Sequence, residues 1–248
     1  MFGKIITEML TPFSLNKRLD FVVLNQYLSY LSQNYTNSLV INGELSEYDK
    51  LAPNDKLRFI NATYTLKNPK IKLLYLIDKE LPSLRTIDKY IDGYIVKGLD
   101  IDYKPLVNKP LIMMDYDINK IDVFKPRGII LSKATLPLIS KIKNTYPDVS
   151  IYLKSAELIL SGLSSRASGI ITASSNLYGD TLHLLMQLLK MKEDYLARDL
   201  FSIYLPRFKL LENHPNNINI LKTALKKIGI SFYPVNSTKK ELLRFIGV

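Results

Sequence analysis

The chain predicts an α/β fold built on a parallel sheet. Three observations predict it. A length of 248 residues with 47% hydrophobic content suffices for one full core and suits a single barrel-sized domain. Apolar, β-rich stretches recur along the chain, and amphipathic helical patterns lie between them. The repeat of strand plus helix suggests closure into a (β/α)8 TIM barrel. An open doubly wound sheet satisfies the same alternation, although no Gly-rich dinucleotide loop is present to favour it.

The strand stretches are SLVING at 38–43, IKLLYLID at 71–78, IDGYIV at 91–96, PLIMMDY at 110–116, GIILSK at 128–133, VSIYLK at 149–154 and GIITASS at 169–175. Between them, LDFVVLNQYLSYLSQN at 19–34 repeats its apolar residues three and four positions apart, which predicts a helix. NDKLRFINATYTL at 54–66 predicts another, with Asn54 as its cap. Residues 97–109, KGLDIDYKPLVNK, join two strands with too little sequence for an ordinary crossover helix, so one barrel helix is expected to be missing or shortened. From Asp180 onward the pattern is mostly helical and ends one helix at Gly229, a natural stop signal. The expected organisation is a barrel body over 1–180, with C-terminal helices over 181–248 packed on the same domain.

Composition removes several chemistries. There are no cysteines, hence no disulfide, thiolate zinc site or cysteine nucleophile, and only His183 and His214 offer imidazoles. No metal and no cofactor are expected. No apolar run approaches the roughly 18 residues that a membrane span needs, and MFGKIITEMLTPF meets Glu8 and Pro12 too soon for a signal-peptide core. A soluble, cytoplasmic protein with no membrane partner is the expectation. The formal net charge of +11 raises the question of nucleic acid. The lysines are dispersed, however, and even the densest region, Lys222, Lys226, Lys227, Lys239, Lys240 and Arg244, is interleaved with apolar residues. The charge reads as a solvated surface, without a nucleic-acid partner.

Residues 7–13, TEMLTPF, followed by LDFVVLNQYLSYL and LVINGELSEYDKLAPNDKLRFI, resemble in order and spacing the start of the dihydrodipicolinate synthase and N-acetylneuraminate lyase family. AELILSGLSSRASGIITASSNLYGD at 156–180 resembles its seventh-to-eighth strand region, and NINILKTALKKIG its C-terminal helix. The middle, roughly residues 66–127, resembles the family in strand order and is shorter. The resemblance implies a closed barrel, class I aldolase or lyase ancestry and oligomerisation. It also implies a sixth-strand lysine that forms a Schiff base with pyruvate or a related 2-oxo acid, the protonated imine serving as electron sink.

In the family that lysine stands in a Gly-Ile/Val-Lys-Asp/Glu segment, often continuing Ala-Thr. Here the matching stretch is Gly128-Ile129-Ile130-Leu131-Ser132-Lys133-Ala134-Thr135. Anchoring on Gly128 puts Ile130 at the lysine position, anchoring on Ala134-Thr135 puts Ser132 there, and sliding one residue further brings Lys133 to it. Lys133 is the candidate nucleophile, although Ile130 and Lys133 cannot share one strand face. Tyr116, in Tyr116-Asp117-Ile118-Asn119, resembles the catalytic tyrosine of the fifth strand, a candidate proton relay. The family's carboxylate-binding loop has two hydroxyl residues between two glycines and before a glutamate. Asn42-Gly43-Glu44-Leu45-Ser46-Glu47 replaces both hydroxyls and the second glycine, and Glu44 would repel a 2-oxo acid unless a cation intervened. Thr11, Gly43 and Glu44 are the substrate-binding candidates that the resemblance supplies.

Independently of the family, Lys97, Lys133 and Lys154 end or follow strands, so a closed barrel brings them to its C-terminal rim, where they are suited to a small anionic metabolite. Glu44, Asp78 and Asp115 sit at other strand ends and are equally placed to pair with them. Three functions follow as expectations. The first is a diverged family member, weak or inactive as a pyruvate-dependent lyase. The second is an active carbon-carbon lyase using Lys133, Tyr116 and a rebuilt carboxylate site at Lys97 or Lys154. The third is a non-catalytic subunit of a homo-oligomer, or of a hetero-oligomer with a related chain.

Overall fold

Eight short strands carry the fold: β1 (Ile5–Glu8), β2 (Ser38–Ile41), β3 (Lys72–Ile77), β4 (Gly93–Lys97), β5 (Leu111–Met114), β6 (Gly128–Leu131), β7 (Ser150–Lys154) and β8 (Gly169–Thr172). The computed structural model describes residues 1–78, 84–97, 108–115, 121–163, 166–233 and 238–247. Each strand pairs in parallel with the next, and β8 returns to β1 through Ile5 to Ile170 and Thr7 to Thr172. The sheet is therefore a closed barrel, and the open alternative is excluded. β1 was not marked by the alternation; the four residues IITE end in an acid and offer little pattern to read.

The strands are apolar at almost every position because both of their faces are covered. One parity, Ile6, Val40, Leu74, Leu76, Ile95, Ile112, Met114, Ile130, Tyr152 and Ile171, forms the core inside the barrel together with Phe2. The other parity, including Ile5, Leu39, Leu73, Val96, Met113, Ile129, Ile151 and Ile170, packs against the helices in two further clusters. Phe2 plugs the N-terminal end: its carbonyl accepts the Ser38 hydroxyl at 2.6 Å and its N–H reaches the Tyr152 hydroxyl at 3.3 Å. A Cβ at Gly93 would meet the Phe2 ring at 2.7 Å and the Pro110 carbonyl at 2.9 Å, so only glycine admits this plug.

The helices are α1 (Phe21–Gln33), α2 (Pro53–Leu66), α3 (Leu84–Ile87), α4 (Ile121–Phe124), α5 (Leu136–Thr145), α6 (Ile159–Leu163), α7 (Ser175–Lys190), α8 (Asp194–Asn213), α9 (Asn217–Lys227) and α10 (Lys240–Phe245). The Asp20 carboxylate caps α1 by accepting the N–H groups of Val22 and Val23, each at 3.0 Å. The expected cap at Asn54 is corrected: Ala52 holds the cap position, and Pro53, which has no N–H to leave unsatisfied, takes the first turn. Helices α3 and α4 comprise four described residues each. The segment 97–109, where a missing or shortened helix was expected, lies for residues 98–107 outside the described residues. The boundary expected at residue 180 falls inside α7, so the barrel layer continues through that helix before α8, α9 and α10 follow. Among the described residues no helix is long and apolar enough to cross a membrane.

Candidate functional site

Residues two positions beyond the inner layer, on the same parity, face the C-terminal mouth. β1 thus delivers Glu8 after Ile6, β4 delivers Lys97 after Ile95, and β7 delivers Lys154 after Tyr152. The loop after β2 adds Glu44. Its carboxylate oxygen Oε1 takes the Lys154 ammonium at 2.7 Å and the Lys97 ammonium at 3.1 Å. Three of the sequence candidates, Glu44, Lys97 and Lys154, therefore meet at one point, and the anticipated pairing of rim charges is present there.

Burial alone would raise the Glu44 carboxyl, but the hydrogen-bonded charges of Lys154 and Lys97 outweigh it and hold the group below its usual range. Burial alone would lower Lys97, but Glu44, with Asp78 and Asp115 behind it, keeps its ammonium above the ordinary range. An amine held this firmly protonated is a poor carbonyl nucleophile.

Glu8 is the group that sequence reasoning passed over. It is 5% exposed; its backbone carbonyl accepts the Asn176 amide at 3.0 Å, while among the described residues its carboxylate has no hydrogen-bond or ion-pair partner. Burial, reinforced by the like charges of Glu44 and Glu212 and opposed by Lys154 and Lys97, pushes its carboxyl up to about 7. The available signal was a lone acid at the end of a short apolar run, and it becomes readable only once β1 is recognised as a strand. Glu212, on α8, is occupied: it accepts the Thr172 hydroxyl, the Ser174 hydroxyl at 2.7 Å, and the N–H groups of Ser174 and Ala173 at 3.0 and 3.2 Å.

The sixth strand contributes no amine to the interior. Ile130 is fully buried, lies in the inner core, and pairs in register with Met114 and Tyr152. Ser132 takes the next inner-parity position, where its N–H and hydroxyl donate to the Asp115 carboxylate at 2.7 and 2.6 Å. Lys133 stands exposed beyond the end of β6, on the opposite parity. Tyr116 lies outside the described residues.

Thr11 is fully buried, and its hydroxyl donates to the carbonyl of Ser46, whose own hydroxyl donates to the Gly43 carbonyl at 2.7 Å. It supports the 43–46 loop from behind. Gly43 lies over Glu8: a Cβ there would approach the Glu8 side chain at 3.8 Å, ordinary contact. The far end of the loop is fixed by Glu47, which pairs with the buried Lys222 of α9 and with Lys50 at 2.7 Å. Among the described residues no group of three or more His, Asp or Glu side chains is arranged to hold a metal ion.

No family model matches the chain. Along its whole length it is similar to 4-hydroxy-tetrahydrodipicolinate synthases: 21% identical to that of Oceanobacillus iheyensis, covering 98% of this chain and 92% of the relative, and 24% identical to that of Prochlorococcus marinus strain MIT 9515, covering 92% and 86%. Its fold matches a dihydrodipicolinate synthase from Bacillus anthracis with a TM-score of 0.84 at 16% identity, covering 99% of this chain and 96% of the other. It matches an N-acetylneuraminate lyase from Mycoplasma synoviae with a TM-score of 0.81 at 13% identity, with the same coverage.

Proposed function

We propose that this chain, a diverged member of the dihydrodipicolinate synthase and N-acetylneuraminate lyase family, binds a small anionic metabolite at the barrel mouth without the pyruvate imine chemistry of a sixth-strand lysine. The observation that carries the reading is Ile130, buried inside the barrel where Gly128 anchors the family segment. A Schiff-base amine must stand inside the site, and partial desolvation must lower its affinity for a proton before it can attack a carbonyl. Lys133 stands exposed beyond the end of β6 and cannot share the inward face of Ile130. Lys97 and Lys154 reach the mouth as charged groups, suited to holding an anion and already neutralised in part by Glu44.

The competing reading, an active carbon-carbon lyase with Lys133 as nucleophile and Tyr116 as relay, draws on the position of Lys133 just past the C-terminal end of β6. Proton exchange separates the two. An imine makes the methyl protons of pyruvate acidic, so a working Schiff-base enzyme in deuterated water washes out the methyl signal in proton NMR. The proposal expects no exchange above the enzyme-free rate with pyruvate or with longer 2-oxo acids. Exchange that Lys133→Met abolishes would overturn it in favour of the lyase.

A further inference from the structure

We propose that Glu44 is a built-in stand-in for a ligand: a short 2-oxo or 2-hydroxy monocarboxylate displaces the Glu44 carboxylate from between Lys97 and Lys154, with Glu8 beneath it bonding the ligand's neighbouring oxygen. This deepens the anion-binding part of the reading above and does not depend on whether an imine forms.

Three observations support it. First, two ammonium groups from distant strands, β4 and β7, converge on a single carboxylate oxygen at 3.1 and 2.7 Å. Room for a carboxylate is assured because one already occupies it, and its charge and shape are those of the ligand class. Secondly, the lysines are strand residues, whereas Glu44 rides on a loop whose ends, Asn42 and Glu47, are both left-handed, at φ 62° and 44°. The Glu44 side chain is 52% exposed against 22% for Lys154, and water screens a pair so exposed, so the internal carboxylate is the replaceable partner. Glu47, the other acid of the loop, is committed to Lys222 and Lys50 and so does not compete for Lys97 and Lys154.

Thirdly, Glu8 lies at the mouth at 5% exposure, and among the described residues its carboxyl has no hydrogen-bond partner, so it has a hydrogen bond to give. The charges that bear on it are Lys154 from β7, Glu44 from the loop after β2, Glu212 from α8 and Lys97 from β4. Burial and the two acids keep it protonated up to about pH 7, so it donates a hydrogen bond to an oxygen beside the ligand carboxylate. No bond is made or broken in this step.

The test is calorimetric titration of the full chain with L-lactate, which has a carboxylate and a neighbouring oxygen but no carbonyl from which to form an imine. Glu44→Gln is expected to tighten lactate binding by about tenfold or more, since the ligand no longer competes with an internal carboxylate. Asp78→Asn removes the same charge from the exposed rim without releasing the lysines, and is expected to change affinity by less than about threefold. Lys154→Met is expected to abolish binding in the Glu44→Gln background. Affinity should fall as pH rises through about 7, and Glu8→Gln, whose amide still donates, should remove that fall. Glu44→Ala, read in the same way, guards against the glutamine amide filling the same space, and circular dichroism melts establish that each variant is folded. Equal affinities for Glu44→Gln and Asp78→Asn, including no heat from either, would overturn the proposal. Lactate binding with this pattern alongside pyruvate methyl exchange would overturn the non-imine reading and leave this one standing.

Discussion

Strands β6 and β7 lie side by side, Gly128 against Ser150 and Ile130 against Tyr152, and each leads to a lysine near the C-terminal end of the barrel. Their outcomes are opposite. Lys154 keeps the inner parity of Tyr152 and reaches the mouth to meet Glu44, whereas Lys133 breaks the parity of Ile130 and stands outside. The lesson is that strand alternation decides which lysine faces the mouth, since a residue two positions beyond the inner layer keeps its face and one three positions beyond does not.

The largest effect expected from breaking this contrast is at Ile130. Ile130→Lys forces an unpaired amine into the apolar core and should cost at least about 4 kcal/mol in urea unfolding, whereas Lys133→Met should shift stability by less than about 0.5 kcal/mol. An Ile130→Lys variant as stable as the parent would mean that the interior holds polar space and would break the comparison.

Lys222 sharpens the same point, since it is a lysine buried to 1% exposure that the fold tolerates through its pair with Glu47. Burial lowers its ammonium affinity for the proton, and the Glu47 partnership opposes that without cancelling it. Glu47→Gln should therefore destabilise by roughly 3–4 kcal/mol in urea unfolding, and Glu47→Gln with Lys222→Met should recover part of the loss.

Glu8 adds a pH signature. Its folded-state carboxyl is raised from 4.5 to about 7, so the folded protein holds a proton that the unfolded chain releases. Between these two values stability should fall as pH rises, by on the order of 3 kcal/mol in total, and level off above about 7. Subtracting the unfolding free energies of Glu8→Gln from those of the parent across pH 4 to 8 should isolate this slope. A flat difference would remove Glu8 from the account. The smallest effect belongs to the exposed pairs: Glu44→Gln should change stability by only about 0–1 kcal/mol, checked by thermal melting, even though it frees both lysines.

Much of the fold was legible in the sequence because parallel barrel strands are covered on both faces and therefore read as continuous runs such as IKLLYLID and VSIYLK. Closure was not legible from alternation, since an open sheet yields the same string, and it entered through the family likeness. β1 was too short to stand out, and Glu8 was lost with it. Lys97 and Lys154 were legible because each ends an apolar run. Their meeting on Glu44 depends on three separated strands being brought to one rim, which local pattern does not encode. At β6 the sequence separated Ile130 from Lys133 by parity but could not say which parity faces inward, and the inner core, with Ile130 in register between Met114 and Tyr152, supplies that.

The central claim, that no amine reaches the barrel interior from the sixth strand, is tested most directly by borohydride reduction in the presence of pyruvate and then of longer 2-oxo acids. Intact-protein and peptide mass spectrometry would follow, because reduction fixes any imine on its lysine. The account predicts an unchanged mass and no modified lysine peptide with any acid. A reduced adduct mapped to Lys133 would contradict it.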